Sequence, residues 1–141
     1  MADTIHIDPV LVEKYSTELA AHGAVGETGV SRTVYSPEWV KATALYAQWC
    51  RDAGLETHSD AVGNVWGRLP GSQAGKAVVS GSHIDSQTPG GRYDGALGAI
   101  AGLIAVRALK EEFGTPRLPL EAVAFCEEES SRFPSANFWG S

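Results

Sequence analysis

Positive charge is scarce in this sequence. Its 11 lysines and arginines face 17 aspartates and glutamates across 141 residues, for a formal net charge of −6, and no two of the cations are adjacent. A general electrostatic attraction to nucleic acid or to anionic membranes is therefore not expected. Long apolar runs are missing as well: no segment approaches the eighteen or so residues that a membrane span needs. The opening MADTIHIDPV has no basic stretch followed by an apolar one, so the expected location is the cytoplasm. Cysteine is limited to Cys50 and Cys126. Two thiols so far apart suit neither a disulfide scaffold nor a zinc knuckle, and they are expected to be small buried side chains.

What is present suits one ordinary core. Hydrophobic residues make up 43% and charged residues 20%, a globular mixture, and a chain of this length buries roughly two-thirds of its unfolded surface. Val12, Tyr15, Leu19 and Ala20 lie at helical spacing within residues 8–22. A loop over His22–Arg32 follows, with glycine at 23, 26 and 29. A second helix is marked by Ser36 as N-cap, Pro37 and Glu38 in the first turn and Gly54 at the C-terminus, with Val40, Ala44, Leu45, Ala47 and Trp49 as its apolar face. Leu55–Asp60 and Asn64–Leu69 read as an edge hairpin. Ala77–Ser82, Ala96–Phe113 and Leu118–Cys126 read as a strand, helix, strand unit. The expected fold class is α/β, with a largely parallel central sheet flanked by helices.

In such sheets ligands bind beyond the carboxyl ends of the strands. His83-Ile84-Asp85 ends one strand of the unit and Glu127-Glu128-Glu129 ends the other, so both polar clusters should face one crevice. Alternation along a strand sends His83 and Asp85 to one side and Ile84 into the core. The imidazole and carboxylate can be an ordinary hydrogen-bonding pair, a metal ligand with its orienting partner, or a base with its orienter. Asp94, in the turn GGRYDGALG, either caps the following helix or approaches a bound ion where glycine lets the backbone come close; the phosphate-loop lysine and hydroxyl pattern is absent. Three consecutive glutamates repel one another. They form either a solvated acidic loop or carboxylates reconciled by a divalent cation, for which imidazole and carboxylate donors are suitable. A neighbouring carboxylate that is not a ligand could then take a proton from an activated water. His6, His22 and His58 are expected to be surface residues.

The segments GSHIDS, GGRYDGALG and EEESSRFPSANFWGS resemble, in type, order and spacing, the signature segments of the di-metal aminoacylase and zinc-carboxypeptidase-like hydrolases. The resemblance is nearest to the hydantoinase/carbamoylase branch: N-carbamoyl-L-amino-acid hydrolase, allantoate amidohydrolase and bacterial-type β-ureidopropionase. It runs from about Gly29 to the last residue. It implies that His83 ligates one metal, Asp94 bridges two, and Asp85 orients His83. Aligning Ser130-Ser131-Arg132-Phe133 with the branch's G-[SA]-R-F segment makes Glu128 the general base, Glu129 the ligand of the second metal and Glu127 an accessory; a shift of one residue gives Glu127 and Glu128 instead. Arg132 is either a substrate-side or structural cation or a counter-charge to the triplet. Two divalent ions per subunit are implied, zinc or manganese, with cobalt or nickel also compatible. So is hydrolysis of a linear amide C–N bond in a small N-carbamoyl amino acid or a ureido acid such as allantoate. Residues 1–141 would be the N-terminal portion of the catalytic domain of a homodimer, with the remaining ligands and the dimerisation domain elsewhere. The alternatives are a dipeptidase or aminoacylase using the same metals, or an inactive metal- or partner-binding fragment.

Overall fold

A computed structural model describes residues 4–133 and 138–140, so positions 134–137 and 141 of the last signature segment lie outside the described residues. Helix α1 (Pro9–Ala20) starts at Asp8, whose carboxylate accepts the Val10 N–H. Pro9 stands in the first turn, where a missing N–H is harmless. Tyr15, Ser16 and Leu19 are its buried positions, and Val12 and Ala20 only flank the contact. Helix α2 (Pro37–Asp52) begins as expected at Ser36, which accepts the Trp39 N–H at 3.1 Å. It ends before Gly54, at φ +68°, where Lys110 donates to the Ala53 and Gly54 carbonyls.

The buried face of α2 is Trp39, Ala42, Tyr46, Trp49 and Cys50, rotated from the expected one, and Val40 is 54% exposed. Aromatic area sets the rotation. Trp39, Tyr46 and Trp49 carry far more apolar surface than valine and alanines, and Trp49 stacks on Tyr15 at 4.1 Å between ring centroids.

The glycine-rich loop is also more ordered than the sequence suggests. It forms a hairpin of β1 (Ala24–Val25) and β2 (Gly29–Val30), and β2 pairs antiparallel with β6 (Gly90–Gly91) in the segment after His83. Strands of two residues carry no periodicity to read, so nothing in the sequence separates them from a loop.

The main sheet has the order β3 (Glu56–Ser59), β4 (Val65–Leu69), β7 (Leu120–Phe125), β5 (Val78–His83). Strands β5 and β7 are parallel, joined through helix α3 (Ala96–Phe113), whereas β3–β4 and β4–β7 are antiparallel. The α/β class stands, and the expected largely parallel sheet is corrected to a mixed one: the hairpin β3–β4 adds to β7 in the antiparallel sense. Helix α3 lies close on β5 because it carries Gly98 and Gly102 there. A Cβ at Gly102 would fall 2.7 Å from the Ser80 carbonyl oxygen, and one at Gly98 2.7 Å from Ser82 Cβ. Each glycine forgoes about 1 kcal/mol of helix propensity for that approach. The register His83↔Phe125 brings the two parallel strand ends side by side, which places the His83 turn against the acidic triplet.

Cys50 and Cys126 are buried and free, as expected, and burial pushes their thiols up to about 12 and about 11. Among the described residues no helix is long and apolar enough to cross a membrane.

Candidate metal centre

Where β5 leaves the sheet, Ile84 is fully buried, while His83 and Asp85 are 6% and 1% exposed. His83 Nδ1 lies 3.0 Å from the Asp85 carbonyl oxygen and 3.6 Å from Asp85 Oδ1. A carbonyl only accepts, so Nδ1 of the neutral ring carries the proton and Nε2 keeps its lone pair for a ligand. Burial by itself lowers the His83 pKa, but the hydrogen bonds and charge of Asp85, with the charge of Glu128, outweigh it and the pKa is raised.

The Asp85 carboxylate has a second set of partners: it accepts the N–H of Glu128 at 3.3 Å and of Glu129 at 3.1 Å, which ties the triplet to β5. Beneath it sits Arg32, a residue the sequence reading passed over. Arg32 is 2% exposed; its Nε donates to the Ile84 carbonyl and its Nη1 to those of Leu19 and His22. Burial lowers its pKa to about 10, against the opposing charge of Asp85. Asn64, also 2% exposed, accepts the Cys126 N–H at 2.8 Å and donates to Asp60 and to the Gly140 carbonyl, fastening the chain that leaves β7. Neither residue has a partner within reach in sequence except Asp60, so only tertiary structure shows them.

The three glutamates separate by burial. Glu127, at φ +54°, is fully buried, and its Oε1 accepts the Phe133 N–H at 2.9 Å, folding the chain back. Glu128 and Glu129 are half-buried, and Glu128 Oε2 lies 3.4 Å from His83 Nε2. Gln87 Nε2 donates to Glu129 Oε2. Burial raises the Glu129 pKa, the Gln87 hydrogen bond and His83 oppose it, and the charges of Asp94 and Glu128 add to it.

Asp94 does not cap α3. The N-cap is Gly95, at φ +64°, and no side-chain capping bond is made there. The His83 ring packs directly on Gly95. The exposed Asp94 instead faces His83 and Glu129: one ligand atom from each of the three lies within 4.8 Å of the others. This is the one group of that kind among the described residues. His6 and His58 are exposed and His22 is half-buried, and none of them joins it. Arg132 donates to the Val34 carbonyl at 2.8 Å and stands over the Phe133 ring, and among the described residues it pairs with none of the three glutamates. One imidazole nitrogen with carboxylate oxygens is a donor set that fits a divalent ion of the zinc or manganese kind. Such a charge also relieves the repulsion among the carboxylates.

Ser130 lies at φ +50°, in the left-handed region that glycine occupies freely. Ser130→Gly is therefore expected to raise stability by about 1 kcal/mol, within the 1–2 kcal/mol typical of a side chain held there. Urea unfolding with an unchanged m-value checks this; a destabilised variant would mean that the hydroxyl holds the loop.

Comparison with known proteins fits this geometry. The sequence model of peptidase family M28 matches residues 64–140, which contain the whole cluster. The chain is 47% identical over 131 residues to an allantoate amidohydrolase of Bacillus subtilis, an alignment covering 92% of this chain and 32% of that protein. It is 38% identical over 136 residues to an N-carbamoyl-L-amino-acid amidohydrolase of a Pseudomonas species, covering 96% of this chain and 33% of the other. A crystal structure of a hydantoinase/carbamoylase family amidase from Burkholderia ambifaria superposes with a TM-score of 0.86 at 40% identity, over 92% of this chain and 32% of that one. The chain thus spans about a third of the length of the curated relatives it matches.

Proposed function

Because the chain belongs to peptidase family M28, whose membership implies divalent-metal use, we propose that it supplies the N-terminal part of the catalytic domain of a metal-dependent amidohydrolase. The substrate is an N-carbamoyl amino acid or a ureido acid such as allantoate, and the bond cleaved is a linear amide C–N bond. The observation that carries the reading is the convergence of His83, Asp94 and Glu129 within 4.8 Å, with Glu128 Oε2 3.4 Å from His83 Nε2. The names of the relatives support the substrate class.

On this reading His83, Asp94 and Glu129 would hold two divalent ions, zinc or manganese. Ions bound there supply Lewis acidity to the scissile carbonyl and to water. Glu128 is half-buried, and its carboxylate is not tied to the main chain, so it is free to take the proton of the attacking water and deliver it to the leaving nitrogen. Asp85 positions both halves of the site: its carbonyl sets the His83 tautomer and its carboxylate holds the Glu128 and Glu129 main chain. The remaining ligands, a dimerisation domain and a cytoplasmic homodimer belong to the same proposal.

The peptidase match gives a specific reason for a second reading, a dipeptidase using the same residues. Assay of the protein as encoded, loaded with zinc or manganese, against N-carbamoyl amino acids, allantoate and dipeptides separates them. Turnover confined to dipeptides would overturn the amidohydrolase reading.

A further inference from the structure

At and beyond the end of β5 the side chains of His83, Asp85 and Gln87 all meet the same acidic turn: His83 faces the Glu128 carboxylate, Asp85 accepts the Glu128 and Glu129 N–H groups, and Gln87 donates to the Glu129 carboxylate. The backbone around Gln87 is fixed from below. Ser86 N–H donates to the Arg32 carbonyl and Ser86 Oγ accepts the Arg32 N–H. Gly90 packs under Gln87, where a Cβ would fall 3.0 Å from its nitrogen and 3.4 Å from its Cβ.

The geometry points to Gln87 as a positioning residue for Glu129: its amide engages Oε2, which would leave Oε1 as the single oxygen free for an ion held with His83 and Asp94. This deepens the metal-site reading above and rests on it. A carboxylate confined to one oxygen suits the low coordination number of zinc, whereas one free to chelate with both oxygens suits ions that take more oxygen donors, such as manganese. Gln87 therefore biases the site between the two ions. Partners of this outer kind typically change metal affinity 10–100-fold when removed.

The test is a pair of variants. Gln87→Ala removes the donor and the volume; Gln87→Met removes the donor and keeps the length. Zinc and manganese affinities are measured by competition with a chromophoric chelator on the metal-free protein, beside its melting temperature. Both variants should lose zinc affinity roughly 10–100-fold and manganese affinity by less, with the melting temperature of the metal-free Met variant unchanged. Unchanged affinities in the Met variant, or equal losses for both ions with a lowered melting temperature, overturn the role of Gln87 alone. Failure of the wild-type protein to bind either ion overturns the metal site itself, and Gln87 with it.

Discussion

Glu128→Gln should lower kcat by about 100- to 10,000-fold, the usual contribution of a positioned general base. That is a loss of roughly 3–5 kcal/mol of transition-state stabilisation. Metal content and melting temperature should be unchanged. The amide is isosteric with the carboxylate, so the loop held by Asp85 through the Glu128 and Glu129 N–H groups is undisturbed, and the three converging ligand atoms belong to other residues. What is lost is the proton acceptor 3.4 Å from His83 Nε2. Steady-state kinetics beside metal analysis checks the result. Undiminished turnover would remove Glu128 as the base and send the assignment to another carboxylate.

Gly95→Ala is expected to be the most damaging single methyl group in the site. A Cβ there would lie inside van der Waals contact of Nε2, Cε1 and Cδ2 of the His83 ring. Its backbone, at φ +64°, also sits where a side chain costs about 1–2 kcal/mol. Overpacking adds roughly 1–3 kcal/mol more, and the buried His83 ring must shift to make room for the methyl group. The expected outcome is a lower melting temperature together with a loss of metal affinity of at least about tenfold, the lower end for a displaced ligand environment. Retained affinity at a reduced melting temperature would mean that the ring adapts without leaving the site.

Much of this site could be read from the chain itself because its parts lie at, or just beyond, the ends of regular elements. Period-two alternation placed His83 and Asp85 on one side of a strand end. The strand, helix, strand pattern brought that end beside the acidic triplet, and Ala96–Phe113 is the helix observed. The resemblance supplied the pairing of His83, Asp94 and Glu129, which the structure brings within 4.8 Å. The capping role for Asp94, a common use of aspartate, was ruled out only by the positive φ of Gly95 and the absence of a capping bond.

What escaped the sequence is tertiary. Arg32 reaches carbonyls from two separate segments, and no local pattern announces an arginine whose partners are main-chain oxygens. Glu127 looked like a spare member of the triplet, and burial makes it the internal pin that turns the chain toward Phe133. The face of α2 was misplaced because helical spacing alone gives valine and alanine the same weight as tryptophan and tyrosine. The direction of the β3–β4 hairpin against β7 likewise depends on contacts far apart in the chain.

Metal content is the direct test of whether His83, Asp94 and Glu129 hold divalent metal. Zinc and manganese bound per chain would be measured for the metal-free protein after equilibration with each ion, beside His83→Ala and Asp94→Ala. Bound metal is expected in the wild-type protein and its loss in both variants, with the metal-free melting temperature of Asp94→Ala unchanged because Asp94 is exposed and its side chain caps no helix. Unchanged metal content in both variants would contradict the assignment.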